Sequence, residues 1–339
     1  MESTVAKLAR RAETGENLQR DDLFALIDSA TGSPEELLYW AGRVRQARFA
    51  NSVKLCSIVP GKLGGCSQDC KWCAQSLAWP AGASCGQEGK AKRTPTADIV
   101  QAARQASHNG VANIGIVNSG RQSSAVDIQA AIDASGAIDN CPQVKIDLCA
   151  SLGQISLDQA RRLAAAGFCR YHHNLETSRR FFPSMVTTHT YDDRLRTLQA
   201  ARSAGLDLCC GGIFGLGETW EDRIELAMTI RDEVQPVAVP LNFLHPILGT
   251  PLEGAMPLPP MEILCIVAMF RLAMPEIDIK IAGGRGVNLR DLQSWLFQAG
   301  ASSLMVGDYL TTGGRSVQDD LAMLADLGLK PVKAWPAGT

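Results

Sequence analysis

The chain has 339 residues, of which 46% are hydrophobic and 20% are charged, and its 33 lysines and arginines face 35 aspartates and glutamates for a net charge of -2. This composition excludes a disordered chain, and the near-neutral charge disfavours nucleic acid or a membrane surface as the default partner. The length suits two or three domains, or one large α/β barrel.

Residues 1–48 come first and are expected to form an N-terminal helical extension, because they begin as a polar amphipathic helix. They lack the apolar region of a signal peptide, and no apolar run approaches the roughly 18 residues of a membrane span. The 11 cysteines are far too few for a disulfide scaffold, which has about 8–10% cysteine. We therefore predict a cytoplasmic protein whose cysteines are metal ligands, catalytic groups or core residues.

Eight short apolar runs then alternate with helical patterns that begin at Ser, Thr or Asn and end at Gly. The runs are residues 53–59, 113–117, 144–150, 168–174, 206–214, 237–244, 277–281 and 303–306. Because parallel strands need crossover helices and eight such units close a sheet, we predict a (β/α)8 TIM-type barrel over residues 49–329. Residues 330–339 would form a C-terminal tail, and the active site would lie at the carboxyl ends of the strands.

The strongest motif follows the first run. Cys66, Cys70 and Cys73 have C-x-x-x-C-x-x-C spacing on a glycine-bearing loop. Three thiolates from one loop can bind three corners of a 4Fe-4S cluster and leave its fourth iron open, whereas a closed structural site would need a fourth ligand. A zinc loop completed by a distant residue, or three core cysteines, are the alternative interpretations.

This spacing, with Trp72 just before the third cysteine, resembles the radical S-adenosylmethionine (SAM) superfamily. The resemblance extends from about residue 49 to residue 329 and is closest to the biotin synthase family. The segments that carry it are CSQDCKWCAQS, RYHHNLETS, TTHTYDDRLRTLQAARSAG, CCGGIFGLGET, PLNFLHPILGTPLEG, IAGGRGVNLR and VGDYLTT.

The resemblance implies a sulfurtransferase that converts dethiobiotin to biotin, with a 4Fe-4S cluster, SAM and an auxiliary iron–sulfur cluster, 2Fe-2S or atypical, as cofactors. It also implies an electron donor such as flavodoxin or ferredoxin and a homodimer. No catalytic acid, base or nucleophile is assigned. By resemblance, Trp72, Glu176, Gly215 and Gly217 bind the cofactor, and His172, Asn174 and Asn242 bind the substrate.

For two of these groups of residues, the sequence also allows a purely structural explanation. Alternation along the fourth run sends His172, Asn174 and Glu176 to one face and His173 to the other, although a solvated strand end would show the same pattern. His172 stands where the family usually has asparagine, but it can still make one hydrogen bond. The glycines near Gly215 suit close approach of either a ligand or another strand.

The auxiliary cluster is where the sequence departs most from the family, whose ligands are three cysteines and one arginine. Cys149 and Cys209 match two of the cysteines, but Gly115 and Lys280 stand at the other two positions. Cys210 should point to the opposite face from its neighbour. Cys141 and Cys169 would serve only if the backbone brought them inward.

The remaining candidates have ordinary structural explanations. Cys56, Cys85 and Cys265 have no partner at motif spacing and are expected in the core, and His108, His189 and His245 are given the same kind of interpretation. Arg285 could bind an anion or form an ion pair. The loss of two auxiliary ligands keeps open a radical SAM paralogue that inserts no sulfur, and a non-enzymatic metal-binding scaffold is the third hypothesis.

Overall fold

The computed structural model describes residues 2–85 and 90–335. Its strands are β1 (Ser52–Leu63), β2 (Lys92–Arg93), β3 (Asn113–Asn118), β4 (Asp147–Ser151), β5 (Phe168–His172), β6 (Asp207–Cys209), β7 (Gly212–Phe214), β8 (Ala238–Phe243), β9 (Asp278–Ile281), β10 (Ser303–Met305) and β11 (Lys330–Val332).

The α-helices are α1 (Thr4–Glu13), α2 (Arg20–Ala30), α3 (Glu35–Phe49), α4 (Pro80–Ser84), α5 (Thr96–His108), α6 (Ala125–Asp139), α7 (Leu157–Ala165), α8 (Phe182–Met185), α9 (Tyr191–Ser203), α10 (Trp220–Thr229), α11 (Pro260–Ala273), α12 (Arg285–Leu289), α13 (Trp295–Gln298) and α14 (Val317–Asp326). A π-helical turn (Ile230–Val234) extends α10, and a 3-10 helix (Arg290–Ser294) follows α12. None of the described helices combines the length and the apolar character that a membrane crossing requires.

The strands form a closed parallel barrel. Their order is β1, β3, β4, β5, β6, β8, β9 and β10, and β10 pairs with β1 to close the ring. The short strand β7 continues the course of β6 and pairs with β8, so the two together occupy one position in the barrel. The predicted (β/α)8 barrel with its N-terminal helices is thus confirmed.

Two short strands have no counterpart among the predicted runs. β2 pairs antiparallel with the end of β1, and β11 pairs parallel with its start. Because the pairing with β2 extends β1 to Leu63, β1 ends four residues past the predicted run. Neither strand has the length or the alternation that a sequence pattern requires. The expected tail therefore begins as β11, and residues 336–339, like residue 1, lie outside the described residues.

The helices α1, α2 and α3 form an extra layer over α11. Every residue of α11 from Ile263 to Ala273 is buried, because the N-terminal helices cover the face that a barrel helix usually turns to solvent. Arg271 lies within this layer with no exposed surface and donates hydrogen bonds to the carbonyls of Gly300 and Ile277, both at 2.8 Å. The buried guanidinium thus satisfies carbonyl groups that would otherwise have no donor.

Candidate active site

Two adjoining cavities open into the barrel. The large cavity, of about 330 Å³, extends from the floor of the barrel to the carboxyl ends of the strands. The small cavity, of about 200 Å³, lies beside the cysteine loop. Both are lined by Trp72, Cys73, Gln75, Val117, Ser151, His172, Asn174, Glu176 and Leu310. A ligand in one cavity would therefore contact a ligand in the other.

The cysteine loop is a compact structure tied to itself by backbone hydrogen bonds. Cys66 N donates to Gln75 O at 3.2 Å, and the indole Nε1 of Trp79 donates to Cys70 O at 3.1 Å. Gly65 has φ of +64°, and a Cβ there would lie 2.7 Å from Ala91 N, so only glycine fits. Cys66, Cys70 and Cys73 all line the small cavity.

The burial of these thiols means that they ionise only when a bound cation balances their charge. Burial raises the pKa of Cys70 to about 12 and that of Cys73 to about 11, so a cation must compensate the charge before they become thiolates. Within residues 2–85 and 90–335, no three His, Cys, Asp or Glu side chains converge closely enough to hold a single metal ion. Three cysteines on one loop facing one cavity are the ligand set of a cluster with an open iron, whereas a closed zinc site needs a fourth ligand.

Glu176 follows β5 in a left-handed conformation, with φ of +72°. Such a conformation costs about 1–3 kcal/mol for a non-glycine residue and needs support from its surroundings. The support comes from Glu176 N, which donates to Gly211 O, and from Ile213 N, which donates to Glu176 O at 2.8 Å. Gly212 permits this close approach, because a Cβ there would lie 2.7 Å from Glu176 O, and Gly211 permits a similar approach to the backbone of Pro240 on β8.

The sequence left open whether the glycines near Gly215 approach a ligand or another strand. For Gly211 and Gly212 the answer is strand packing. Gly215 and Gly217 line neither cavity, and both have positive φ in a loop whose N–H groups bind the buried carboxylate of Glu218, with Leu216 N donating at 2.8 Å. Their assignment to the cofactor therefore stays a prediction.

The polar side chains at the end of β5 form one network. Asn174 Nδ2 donates to Glu176 Oε2 at 3.2 Å, and the buried Arg194 donates to Asn174 O at 2.8 Å and lies 3.4 Å from Glu176 Oε1. Arg194 is a site residue that the sequence patterns do not single out. It lies on α9, and only the fold brings it to the small cavity.

His173 lines the small cavity instead of facing away from it. The expected alternation fails because β5 ends at His172, one residue before. His173 Nε2 and Arg194 Nε are buried without a hydrogen-bond partner. Burial holds the pKa of His173 well below its usual value, so its ring is neutral. Both residues line the small cavity, whose wall therefore offers polar side chains to a ligand.

Two asparagines face the large cavity and are fixed by backbone groups. Asn174 Oδ1 accepts from Gly211 N at 3.1 Å, and Asn242 Oδ1 accepts from Gly283 N at 2.9 Å. Asn242 Nδ2 also donates to Gly212 O at 3.1 Å. Each amide group keeps one N–H and one lone pair for a ligand. His172, which completes the group, is neutral because burial lowers its pKa to about 4.

The floor of the large cavity is lined by three thiols from three strands. They are Cys149 on β4, Cys209 on β6 and Cys56 on β1. Cys56 is buried, as expected of a core residue, and it also lines the cavity. Cys56 and Ile58 both face inward from β1, and barrel closure brings that face opposite the other two thiols. Cys56 has no motif spacing, so only the register of β1 could have indicated it.

Two cations complete the floor. Arg170 and Lys280 line the large cavity, and Arg170 Nε has no hydrogen-bond partner. Burial alone would lower the pKa of Arg170, but Cys149 and Cys209 raise it above its usual value. The pKa of Lys280 is likewise raised, by Cys56 and Cys209 against the effect of burial. The floor can therefore hold an anionic group.

The other cysteines occupy different surroundings. Cys169 lies at a bulge where Leu148 pairs with Phe168 but Cys149 pairs with Arg170, and a hydrogen bond between the two thiols raises the pKa of Cys149 and lowers that of Cys169. Cys210 is buried away from both cavities, as alternation predicts, and Cys265 lies in α11. Cys141 contacts Arg104 on the helical layer.

The structure also places Arg285 and two of the histidines for which the sequence suggested structural roles. Arg285 is buried and donates to Asp320 Oδ2 at 2.5 Å, so its structural interpretation as an ion pair is the one the structure supports. His245 lines the large cavity, and His189 lines the small one while its Nδ1 lies 2.9 Å from Gln68 Oε1, so a structural role for His189 stays the expectation.

Comparisons with known proteins agree with this geometry. Residues 62–230 match the Radical SAM superfamily, and residues 240–330 match the Biotin and Thiamin Synthesis associated domain. A biotin synthase from Syntrophotalea carbinolica is 43% identical over 97% of this chain and 98% of its own length. Those of Nitratidesulfovibrio vulgaris and Trichlorobacter lovleyi are 46% and 43% identical over 87% and 97% of this chain, and over 81% and 96% of their own lengths.

Solved structures with the same architecture are more distant in sequence. A methylornithine synthase has a TM-score of 0.80 at 19% identity, with 96% of this chain and 97% of that chain covered. The FeFe-hydrogenase maturase HydG also has a TM-score of 0.80, at 15% identity, with 98% and 76% covered. These similarities establish the fold.

Proposed function

Because the chain belongs to the biotin synthase family of radical SAM enzymes, we propose that it inserts sulfur into dethiobiotin to form biotin. The proposal is carried by one observation: the three-thiol loop opens onto a cavity that continues to a second set of thiols on the barrel floor. When bound, a 4Fe-4S cluster and SAM supply the radical chemistry that removes hydrogen atoms from unactivated carbons.

Cys66, Cys70 and Cys73 would hold the cluster, and the small cavity would hold SAM. Trp72 offers an aromatic surface between the two cavities, and Glu176 offers a carboxylate that can accept from ribose hydroxyl groups. Arg194 lines the small cavity and would supply a cation for the amino-acid carboxylate of SAM. Gly215 and Gly217 are assigned to cofactor binding by the resemblance alone, since neither lines a cavity.

Asn174, Asn242 and His172 would bind the cyclic urea of dethiobiotin. A urea presents one carbonyl oxygen and two N–H groups, and the two fixed amides have the matching free donors and acceptors. Ile58, Val117 and Ile213 line the same cavity and suit an apolar chain.

The auxiliary iron–sulfur centre would be bound by Cys149 and Cys209, with Cys56 as a third thiol in place of the ligand that Gly115 cannot supply. Lys280 and Arg170 would balance its negative charge. Such a ligand set takes its third cysteine from a different strand and has lysine at the position of the family's arginine, so we expect an atypical centre that is more labile than the family's.

The organisation of the chain and its surroundings belong to the same proposal. Residues 49–329 would form the catalytic barrel, with residues 1–48 as the helical extension. A flavodoxin or ferredoxin would supply electrons, and the enzyme would act as a homodimer in the cytoplasm.

The decisive experiment is to reconstitute the protein anaerobically and to measure biotin formed from dethiobiotin. Biotin formation supports the proposal, whereas 5′-deoxyadenosine without biotin would favour a paralogue that inserts no sulfur. Replacing Cys66, Cys70 and Cys73 by alanine should abolish SAM cleavage while the barrel stays folded, since the cluster would be under-ligated.

The triple variant also isolates the auxiliary centre. Mössbauer spectroscopy with iron and sulfide analysis should find iron that disappears when Cys56, Cys149 and Cys209 are also replaced. A triple variant without any bound iron would contradict the auxiliary site.

A second experiment distinguishes the substrate-binding residues from the cofactor-binding residues by comparing the ligand affinities of alanine variants. Asn174→Ala or Asn242→Ala should impair dethiobiotin binding by about 1–3 kcal/mol, because a buried polar group of the ligand loses its partner. Glu176→Ala should weaken SAM binding instead. Titrations in which all three variants bind both ligands normally would refute this placement.

A further inference from the structure

The cysteine loop is held by a segment more than a hundred residues away, residues 185–189, which we call the clamp segment. Its contact with the loop is centred on Asp69, which lies between the first two cysteines of the motif. The carboxylate of Asp69 accepts hydrogen bonds from Thr187 N at 3.0 Å, from Thr188 N at 3.2 Å and from Thr188 Oγ1 at 2.8 Å. Thr187 Oγ1 donates to it as well.

Two further hydrogen bonds flank this carboxylate. Lys71 N donates to Met185 O at 3.2 Å, and His189 Nδ1 lies 2.9 Å from Gln68 Oε1. Three of the loop's residues are therefore bound to one five-residue stretch. The loop's own hydrogen bonds fix its shape, whereas these bonds fix its position relative to the rest of the barrel.

The clamp segment leads directly into α9. Thr190 caps this helix, since its side chain accepts from Asp193 N at 3.1 Å. Arg194 lies in the first turn and contacts Glu176 and the carbonyl of Asn174. The clamp segment thus connects the loop of Cys66, Cys70 and Cys73 to the ion pair that faces the small cavity.

We propose that Asp69 is a positioning residue that couples the cluster-binding loop to the SAM site through the clamp segment and Arg194. The inference rests on the proposed function, because it takes the small cavity as the SAM site. It goes further in assigning a role to a carboxylate that lines neither cavity. When the clamp contact is lost, both the retention of the cluster and the affinity for SAM should fall together.

The test uses the anaerobically reconstituted full chain with Asp69→Asn, which keeps the shape but replaces an acceptor oxygen by a donor. We expect iron release to a chelator to become about tenfold faster and the Kd for SAM to rise about tenfold, as for the loss of a hydrogen bond to a charged group. Asp158→Asn is the matched control, because Asp158 is an exposed carboxylate in the first turn of α7. It should change neither quantity.

Variants on the other side of the contact keep the test independent of one substitution. Thr188→Val should reproduce part of both effects, and Thr188→Ser should show neither. The double variant Asp69→Asn/Thr188→Val should match Asp69→Asn alone, because the bond lost in Thr188→Val is one of those that Asp69→Asn already weakens. If Asp69→Asn does not fold, the comparison of Thr188→Val with Thr188→Ser tests the coupling on its own. Faster iron release with unchanged SAM affinity, or variants that match Asp158→Asn in both measurements, would overturn the coupling. Failure of the wild-type protein to bind SAM would instead refute the proposed function.

Discussion

Replacing Gly115 by cysteine would add a thiol to the floor of the large cavity. The nearest atoms to a Cβ at this position are Ile58 Cγ2 at 3.5 Å, Ser57 O at 3.9 Å and Cys149 Cβ at 4.0 Å, all ordinary contact distances. Gly115 lies within β3, so the replacement should stabilise the strand by about 0.5–1 kcal/mol, which is a shift of about 1 °C in Tm for a chain of this length.

The same geometry gives a result that does not depend on iron. A Cβ–Cβ separation of about 4 Å is within the range that disulfides require. In cluster-free protein treated with a disulfide oxidant, Gly115→Cys should lose two alkylatable thiols through a bond to Cys149, with the oxidant taking up both electrons and both protons. Mass spectrometry after alkylation measures this loss.

With the cluster reconstituted anaerobically, the added thiol should change the Mössbauer spectrum of the auxiliary iron and slow its loss. Gly136→Cys is the control, because a Cβ added at this exposed glycine on α6 would meet nothing within 4 Å and should leave the spectrum unchanged. If Gly115→Cys forms no disulfide and its auxiliary iron matches the wild type, then Gly115 does not face the thiol-lined floor and the assignment of Cys149 is wrong.

Two further predictions concern buried carboxylates. Glu218→Gln should lower the free energy of unfolding by about 3 kcal/mol in a denaturant titration, because buried Arg223, whose Nε lies 2.9 Å from Glu218, loses its buried carboxylate partner and keeps only the more exposed Glu262; an unchanged midpoint would contradict this. Asp127→Asn should cost about 2 kcal/mol at neutral pH. Burial alone would raise the pKa of Asp127, but hydrogen bonds from Lys62 and Arg93 hold it well below its usual value. Its contribution is therefore present above the unfolded-state pKa of about 3.9 and is lost as the pH falls through the lower folded value, so the wild type and the variant should converge in stability at acid pH.

Local sequence patterns were enough to predict most of the fold and part of the candidate site. The eight barrel strands and the cysteine loop have their signals within short windows, as β-branched runs and as fixed cysteine spacing. Cys56 has no such signal, because its partners come from other strands and depend on the register of the closed barrel. Two hydrogen-bonded residues more than a hundred positions apart, such as Asp69 and Thr187, are equally invisible to a local pattern.

His173 shows a different limit. Alternation gives the correct face for a residue within a strand, but the strand must extend that far. β5 ends at His172, and the left-handed Glu176 turns the chain four residues later. Where backbone strain concentrates at a site, periodicity stops being a guide to side-chain direction.

The layer of N-terminal helices over α11 has a consequence for the order of events during synthesis. α3 ends at Phe49, whereas its packing partner begins at Pro260, about 210 residues later. At roughly 5–20 residues per second, a ribosome needs about 10–40 s to cover that distance. During this interval the apolar side of α3, with Leu37, Leu38 and Ala41, has left the ribosome before α11 exists. The nascent chain therefore depends on contacts among α1, α2 and α3, or on a chaperone, to shield that surface until the sixth crossover of the barrel has been made.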